Sequence, residues 1–268
     1  MAQLRDYEVR CPVCAAGLLS LPAQTAQPVC EGCGAGFAFS DGFVDLLPES
    51  RGRRTLAQVM MEWPPLIRIY ESTRWRRSSI LARAMGIDFD REFSLITDAA
   101  RLEPGQRGLD LGCGPGIYAR PLAAAVFPGS VVGLDLSVPM LRVAAEKARE
   151  ENVSNLLLLH GDAMQLPFEA DHFDVVNCCG ALHLFPDADH VLGEVARVLG
   201  PGGRFTVAAF RRRAGAIADR LTRLRRRIDG VDAFTVEALA AAFEKAGLVD
   251  PRCHHAAGSW LIMSATKP

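Results

Sequence analysis

Gly108-Leu109-Asp110-Leu111-Gly112-Cys113-Gly114-Pro115-Gly116 is the stretch on which the fold turns. A short apolar run suited to a buried strand leads into three glycines, whose missing side chains permit a tight turn and the close approach of a ligand. Such turns between strand and helix also arise for conformational reasons alone, so the glycines by themselves name no ligand. The next strand supplies the second half of the signal. Val131-Val132-Gly133-Leu134-Asp135 ends in a carboxylate about 20 positions beyond the glycines, where it can accept hydrogen bonds from both hydroxyls of a ribose. Asp110, inside the turn motif, suits a cationic ligand that carries an amino acid better than it suits a pyrophosphate.

Outward from this stretch, apolar runs and amphipathic segments alternate. Runs at 108–111, 131–134, 156–159, 173–176 and 205–209 are separated by helical patterns such as Pro139 to Glu150 and Asp187 to Leu199, the signature of a mainly parallel sheet covered by helices. Gly200-Pro201-Gly202-Gly203 turns a helix into the fifth strand. After Phe210 the alternation breaks, and Ile217, Leu221, Leu224 and Ile228 make one helical stripe in an arginine-rich insertion at 211–233, placed as a lid would be. Nine arginines between Arg204 and Arg227 read as a clamp for an anionic substrate, a contact for RNA, or a solvated face. A helix near 235–246 and two strands, the last at 260–265, close the pattern.

The first 48 residues are of another kind. Cys11-Pro12-Val13-Cys14 and Cys30-Glu31-Gly32-Cys33 give C-x2-C-x15-C-x2-C, which brings two knuckles around one tetrahedral ion. Four cysteine ligands leave no open coordination position, so the expected metal is a structural zinc and not a Lewis acid. A segment with so little apolar content needs that staple to fold. Phe37 to Leu47 then flanks the turn former Ser40-Asp41-Gly42. Three parts are expected: a zinc-ribbon module at 1–48, a helical connector or cap at 49–104, and a ligand-binding domain at 105–268.

Read together, the motifs resemble the class I methyltransferases that use S-adenosylmethionine (SAM). Leu109 to Gly116 matches that family's first motif without a gap, and the likeness continues through Gly133 to Ser137 with Met140, Gly161-Asp162-Ala163, Leu166-Pro167-Phe168, Phe173 to Val176 and Leu199 to Gly203. The resemblance implies an α/β fold with a Rossmann-like, mainly parallel seven-stranded sheet and helices on both faces. It also implies roles. Gly112, Gly114 and Gly116 line the methionine part of SAM, Asp135 holds the ribose, and Leu136 and Met140 pack on the adenine. Asp162 accepts from the adenine amino group with Ala163 beside it, and Cys178 lies near the amino-acid end.

His183, beyond the fourth strand at the carboxyl edge of the sheet, is the candidate general base, with His254 and His255 in the tail as further imidazoles that can approach that edge. The leading functional reading is methyl transfer to a small-molecule metabolite at O, N or C. A second is ribosomal RNA base methylation, since the four-cysteine ribbon also resembles that of bacterial rRNA guanine-N1 methyltransferases; a third is a non-catalytic partner protein on a SAM fold. The formal net charge of −1 argues against a dominant nucleic-acid surface, and before residue 50 only Arg5 and Arg10 stand against Asp6, Glu8, Glu31, Asp41, Asp45 and Glu49. No apolar run is long enough for a membrane span, and paired CxxC motifs suit a reducing compartment, so the expected location is the cytoplasm.

Overall fold

The structure, a computed structural model, describes residues 7–20, 27–47, 72–212 and 230–268, together with positions 63, 65, 67 and 69. Near the cysteines, β1 (Leu19–Ser20) pairs antiparallel with β2 (Val29–Cys30). The hairpin of β3 (Ala38–Ser40) and β4 (Phe43–Asp45) turns at Asp41 and Gly42, both at positive φ. Three helices follow, α1 (Thr73–Arg76), α2 (Ser79–Met85) and α3 (Phe89–Ala100). Ser78 and Asp88 start the second and third by accepting from the N–H groups of Leu81 and Arg91.

The alternating segment folds as its periodicity requires. Its elements are β5 (Arg107–Leu111), α4 (Ala119–Val126), β6 (Ser130–Asp135), α5 (Val138–Glu150), β7 (Leu156–His160), β8 (Phe173–Cys179), α6 (Ala188–Val198), β9 (Leu199–Phe210), α7 (Val236–Lys245), β10 (Val249–Ala257) and β11 (Trp260–Thr266). Side-chain caps at Ser137, Asp187 and Thr235 fix the starts of α5, α6 and α7. Apart from the β1–β2 pair, the described strands make one nine-stranded sheet in the order β10-β11-β9-β8-β5-β6-β7-β4-β3. β5 to β9 run parallel, while β11 lies antiparallel between β9 and β10.

The seven strands expected from sequence are therefore β5 to β11, and the sheet carries two more. β4 runs parallel along β7, with Val44 opposite Leu159 and Asp45 opposite His160. This pairing supplies hydrogen bonds to an edge that would otherwise present a bare row of backbone groups. The N-terminal segment shares its core with the sheet: Tyr7, Val9, Leu19, Phe37 and Val44 are buried in the same cluster as Leu109, Leu134 and Leu159. α3 docks on the same sheet, Ile96 packing with Val131, Ala208 and Ile262. α2 lies within the expected helical connector and buries no residue, Ile80 being 71% exposed. Of the arginine-rich insertion, residues 213–229 lie outside the described residues. Among the described residues no helix is long and apolar enough to cross a membrane.

The chain winds from β5 through β6 to β7 on one side, then returns to lay β8 and β9 on the other. That reversal opens a crevice at the carboxyl ends of β5 and β8, the place where open α/β sheets hold ligands.

Candidate active site

A cavity of about 850 Å³, part of it continuous with solvent, occupies this crevice. Asp110, Gly112, Gly114, Asp135, Leu136 and Met140 line it, as the motif reading expects. The glycines turn there because their backbone demands it. Gly112 has φ 67° and a side chain on it would collide with Ala181, while Gly114 has φ 51° and faces open space. Asp135 ties the turn to the next strand, its Oδ2 accepting from the N–H of Gly114 and its Oδ1 from that of Ser137, each at 2.7 Å.

The two carboxylates give the cavity its electrostatic character. Burial pushes the Asp110 carboxyl up to about 7, even though Oδ1 accepts from Asn177 Nδ2 at 2.6 Å. Asp110 Oδ2 is buried without a well-formed hydrogen bond, the backbone N–H of Ala119 being the further donor near the carboxylate, an arrangement that favours a ligand cation. Burial also raises Asp135, against the pull of the backbone N–H groups it accepts. Tyr118 adds a polar edge whose hydroxyl donates to Glu92 Oε1 at 2.9 Å, and Trp260 Nε1 donates to the same oxygen at 2.9 Å. Ile117, Ala181, Leu184 and Phe185 complete an apolar wall.

In comparison with known proteins, the family described as "Methyltransferase domain" matches residues 109–203, from the glycine turn to the turn into β9. Residues 109–203 are similar to a methyltransferase domain. A demethylmenaquinone methyltransferase of Geobacillus kaustophilus is 42% identical over 121 residues, 44% of this chain and 52% of the relative. A Bacillus cereus protein of the same name is 41% identical over 122 residues. The chain spans about half the length of the curated relatives it matches. Among solved structures, the [4+2]-cyclase SpnF superposes with a TM-score of 0.65 at 22% identity, over 81% of this chain and 98% of that one. Phosphoethanolamine N-methyltransferase 2 of Haemonchus contortus, in complex with phosphomonomethylethanolamine and S-adenosylhomocysteine, gives 0.64 at 18% identity, over 83% and 61%. At such identities these likenesses establish the fold, and a cyclase among them illustrates that this fold hosts more than one chemistry.

Other expected site residues stand apart from the cavity wall. Gly116 turns at φ 78° with Ala144 of α5 3.2 Å from where a side chain would begin. Asp162 is exposed and accepts from Met164 N–H at 2.9 Å as a turn former, and Ala163 is buried in the core. Cys178 is also core, with its thiol raised by burial, whereas Cys179 lines the cavity. Adjacent strand residues face opposite sides of a sheet, so an offset of one residue exchanges wall for core. His183 lies on a short helical turn, Leu182–Leu184, and is buried. Its ring stacks 4.1 Å from Phe210 and 6.1 Å from Trp260, outside the set of groups that line the cavity, while its neighbours Leu184 and Phe185 belong to that set. Such a 3-10 turn rotates successive side chains by about 120°, which a linear reading of Leu182-His183-Leu184 does not resolve. His254 lies on β10 with Nε2 2.7 Å from Ser264 Oγ, and His255 sits on the same strand.

Tyr118, Glu92 and Cys179 were missed by the sequence reading. Tyr118 stands just past the glycines, so its position was a usable signal; nothing local marks Glu92, which comes from a distant helix.

Away from this cavity, the sulfur atoms of Cys11, Cys14, Cys30 and Cys33 all lie within 4.8 Å of one another, an arrangement that can hold one tetrahedral metal. Backbone N–H groups point at the sulfurs: Val13 at Cys11, Gly17 at Cys14, and Gly32 and Cys33 at Cys30, at 3.3–3.4 Å. Those of Ala16 and Gly17 hold the Cys14 thiol down at about 6, toward the thiolate a metal requires. A side chain on Gly17 would stand 2.5 Å from Cys30 Sγ, so glycine is needed there for close approach.

Proposed function

We propose that the protein is a SAM-dependent methyltransferase acting on a small-molecule acceptor, with a structural zinc at its four N-terminal cysteines, and that it works in the cytoplasm, where thiolates stay reduced. The observation that carries the reading is the buried Asp110 Oδ2, without a well-formed hydrogen bond, beside a glycine turn and within residues that match the methyltransferase-domain family. That oxygen suits an ammonium or sulfonium charge, and Asp135 at the end of β6 suits a ribose. SAM supplies an electrophilic methyl group when bound. The chain contributes position and dryness: Gly112 and Gly114 let the ligand lie against backbone, Leu136 and Met140 offer apolar surface to a flat base, and Leu184 and Phe185 exclude water.

The relatives are named for demethylmenaquinone, and the apolar wall of Ile117, Ala181, Leu184 and Phe185 fits an acceptor with a flat, largely apolar ring of that kind. The anionic acceptor suggested by the arginines rests on residues 211–213 and 220–227, most of them outside the described residues. His183 enters as a support. Its carbonyl accepts from Asp232 N–H at 2.8 Å and its ring packs on Phe210, so it holds the turn that presents Leu184 and Phe185.

The test is calorimetric titration with SAM, followed by transfer of labelled methyl to a panel of quinols and phenols. Micromolar or tighter SAM binding together with a labelled small product supports the reading. SAM binding with label appearing only in RNA would replace the acceptor, and absence of SAM binding would remove the reading altogether.

A further inference from the structure

A buried bridge joins the N-terminal segment to the rim of the cavity. His160, at the end of β7, has no exposed surface. Its Nδ1 lies 2.7 Å from Asp45 Oδ1 on β4, and its Nε2 lies 3.1 Å from the carbonyl oxygen of Leu136. The two ring nitrogens thus tie the Asp45 side chain on β4 to the backbone at Leu136.

Both ends of the bridge are anchored. Asp45 Oδ1 also accepts from Leu47 N–H at 3.1 Å, Leu46 N–H donates to the His160 carbonyl, and Phe43 meets the imidazole edge-on at 6.4 Å. On the far side, Leu136 stands between Asp135, which holds the glycine turn, and Ser137, which caps α5. His160 also lies close enough to Asp135 to oppose, in part, the burial that raises its carboxyl. β4 in turn belongs to the segment that carries the cysteines: Phe37 N–H donates to Pro28 O, and Cys30 N–H to Ala35 O.

We propose that Asp45 and His160 are positioning residues that couple the four-cysteine module to the nucleoside end of the cavity, so that ordering the module raises the affinity for SAM. The inference rests on the SAM reading above. Loosening the cysteine knuckles loosens β4, Asp45 then releases the imidazole, and the Leu136 carbonyl loses the donor that fixes its place. Such coupling is reciprocal, so bound SAM must strengthen metal retention by the same factor that metal strengthens SAM binding.

The experiment uses full-length, zinc-loaded protein, His160→Asn, and the milder Asp45→Asn, whose side chain is 31% exposed and which carries the test should His160→Asn fail to fold. SAM affinity by calorimetry and amide exchange at residues 133–140 are read for each, before and after chelation. Both variants are expected to weaken SAM binding about tenfold, the equivalent of one charge-assisted hydrogen bond. Exchange is expected to accelerate at 133–140 and to stay unchanged in β8 and β9, which a general loss of stability would not spare. Chelation is expected to weaken SAM binding in the wild type and to add less than twofold in the variants. Equal chelation effects in wild type and variants, or variant affinities within twofold of wild type, overturn the bridge. If the wild type binds no SAM, the cofactor reading fails and the bridge is judged by exchange alone, where unchanged rates at 133–140 overturn it.

Discussion

Asp110 and Asp135 divide the work of the site at the residue scale. Asp135 was legible as a strand-end acid, but the structure adds that both its oxygens hold backbone N–H groups, so it shapes the glycine turn as well as facing the cavity. Asp135→Asn keeps the shape and removes the charge; it is expected to raise the SAM dissociation constant by about 10–100-fold, the worth of one or two charge-assisted bonds, as read by calorimetric titration. An unchanged constant would detach Asp135 from the ligand. Asp110 makes a prediction about pH. Burial raises its carboxyl to about 7, so the free protein holds a proton there below that pH, whereas a cationic ligand binds best to the ionised form. SAM affinity is therefore expected to fall as pH drops through about 7, with proton release on binding at pH 6. Titrations in two buffers of different ionisation enthalpy measure that release, and its absence would place the ligand's charge elsewhere.

At the scale of elements, contacts between distant segments decide what a residue does. Glu92 on α3 joins Tyr118 beside α4 to Trp260 on β11, closing three segments over one carboxylate. Burial raises its carboxyl, against the Tyr118 hydrogen bond and the charge of Arg76. Glu92→Ala would leave two buried donors without their acceptor and is expected to cost about 2–4 kcal/mol, seen as a lower thermal midpoint. A loss under about 0.5 kcal/mol would show that water readily replaces the carboxylate. His183 shows the opposite case, a chemically suggestive residue turned into packing. Since its ring lies on Phe210 and Trp260, His183→Ala is expected to lower the turnover number less than tenfold and to leave the shape of the pH profile unchanged. A loss of about 100-fold with a flattened acid limb would restore the base role.

At the scale of the whole molecule, one nine-stranded sheet among the described residues shares its core with the segment that carries the cysteine knuckles. Because β4 and β3 extend the sheet past β7, and Tyr7, Val9 and Phe37 share its core, metal at the four cysteines is expected to stabilise more than the module itself. Elemental analysis should find one zinc per chain. Cys11→Ser with Cys33→Ser together should abolish it and lower the thermal midpoint of the whole cooperative transition. Zinc retained at full stoichiometry, or a midpoint unmoved by its loss, would separate the module energetically from the sheet.

What the sequence by itself determined were the features written in local pattern. The period of the apolar runs set the order of strands and helices, the glycines with Asp110 and Asp135 marked the turn and its acid, and the CxxC spacing marked the knuckles, because each depends on neighbours a few residues away. Tertiary structure alone decided which face a residue shows and which distant residue it meets. Cys178 and Cys179 exchange roles across a sheet face, His183 is rotated into the core by one helical turn, and Asp45 finds His160 across 115 positions of sequence. These outcomes follow from sheet order and helix phase, which are settled by burying many apolar side chains at once and leave no mark at the positions they rearrange.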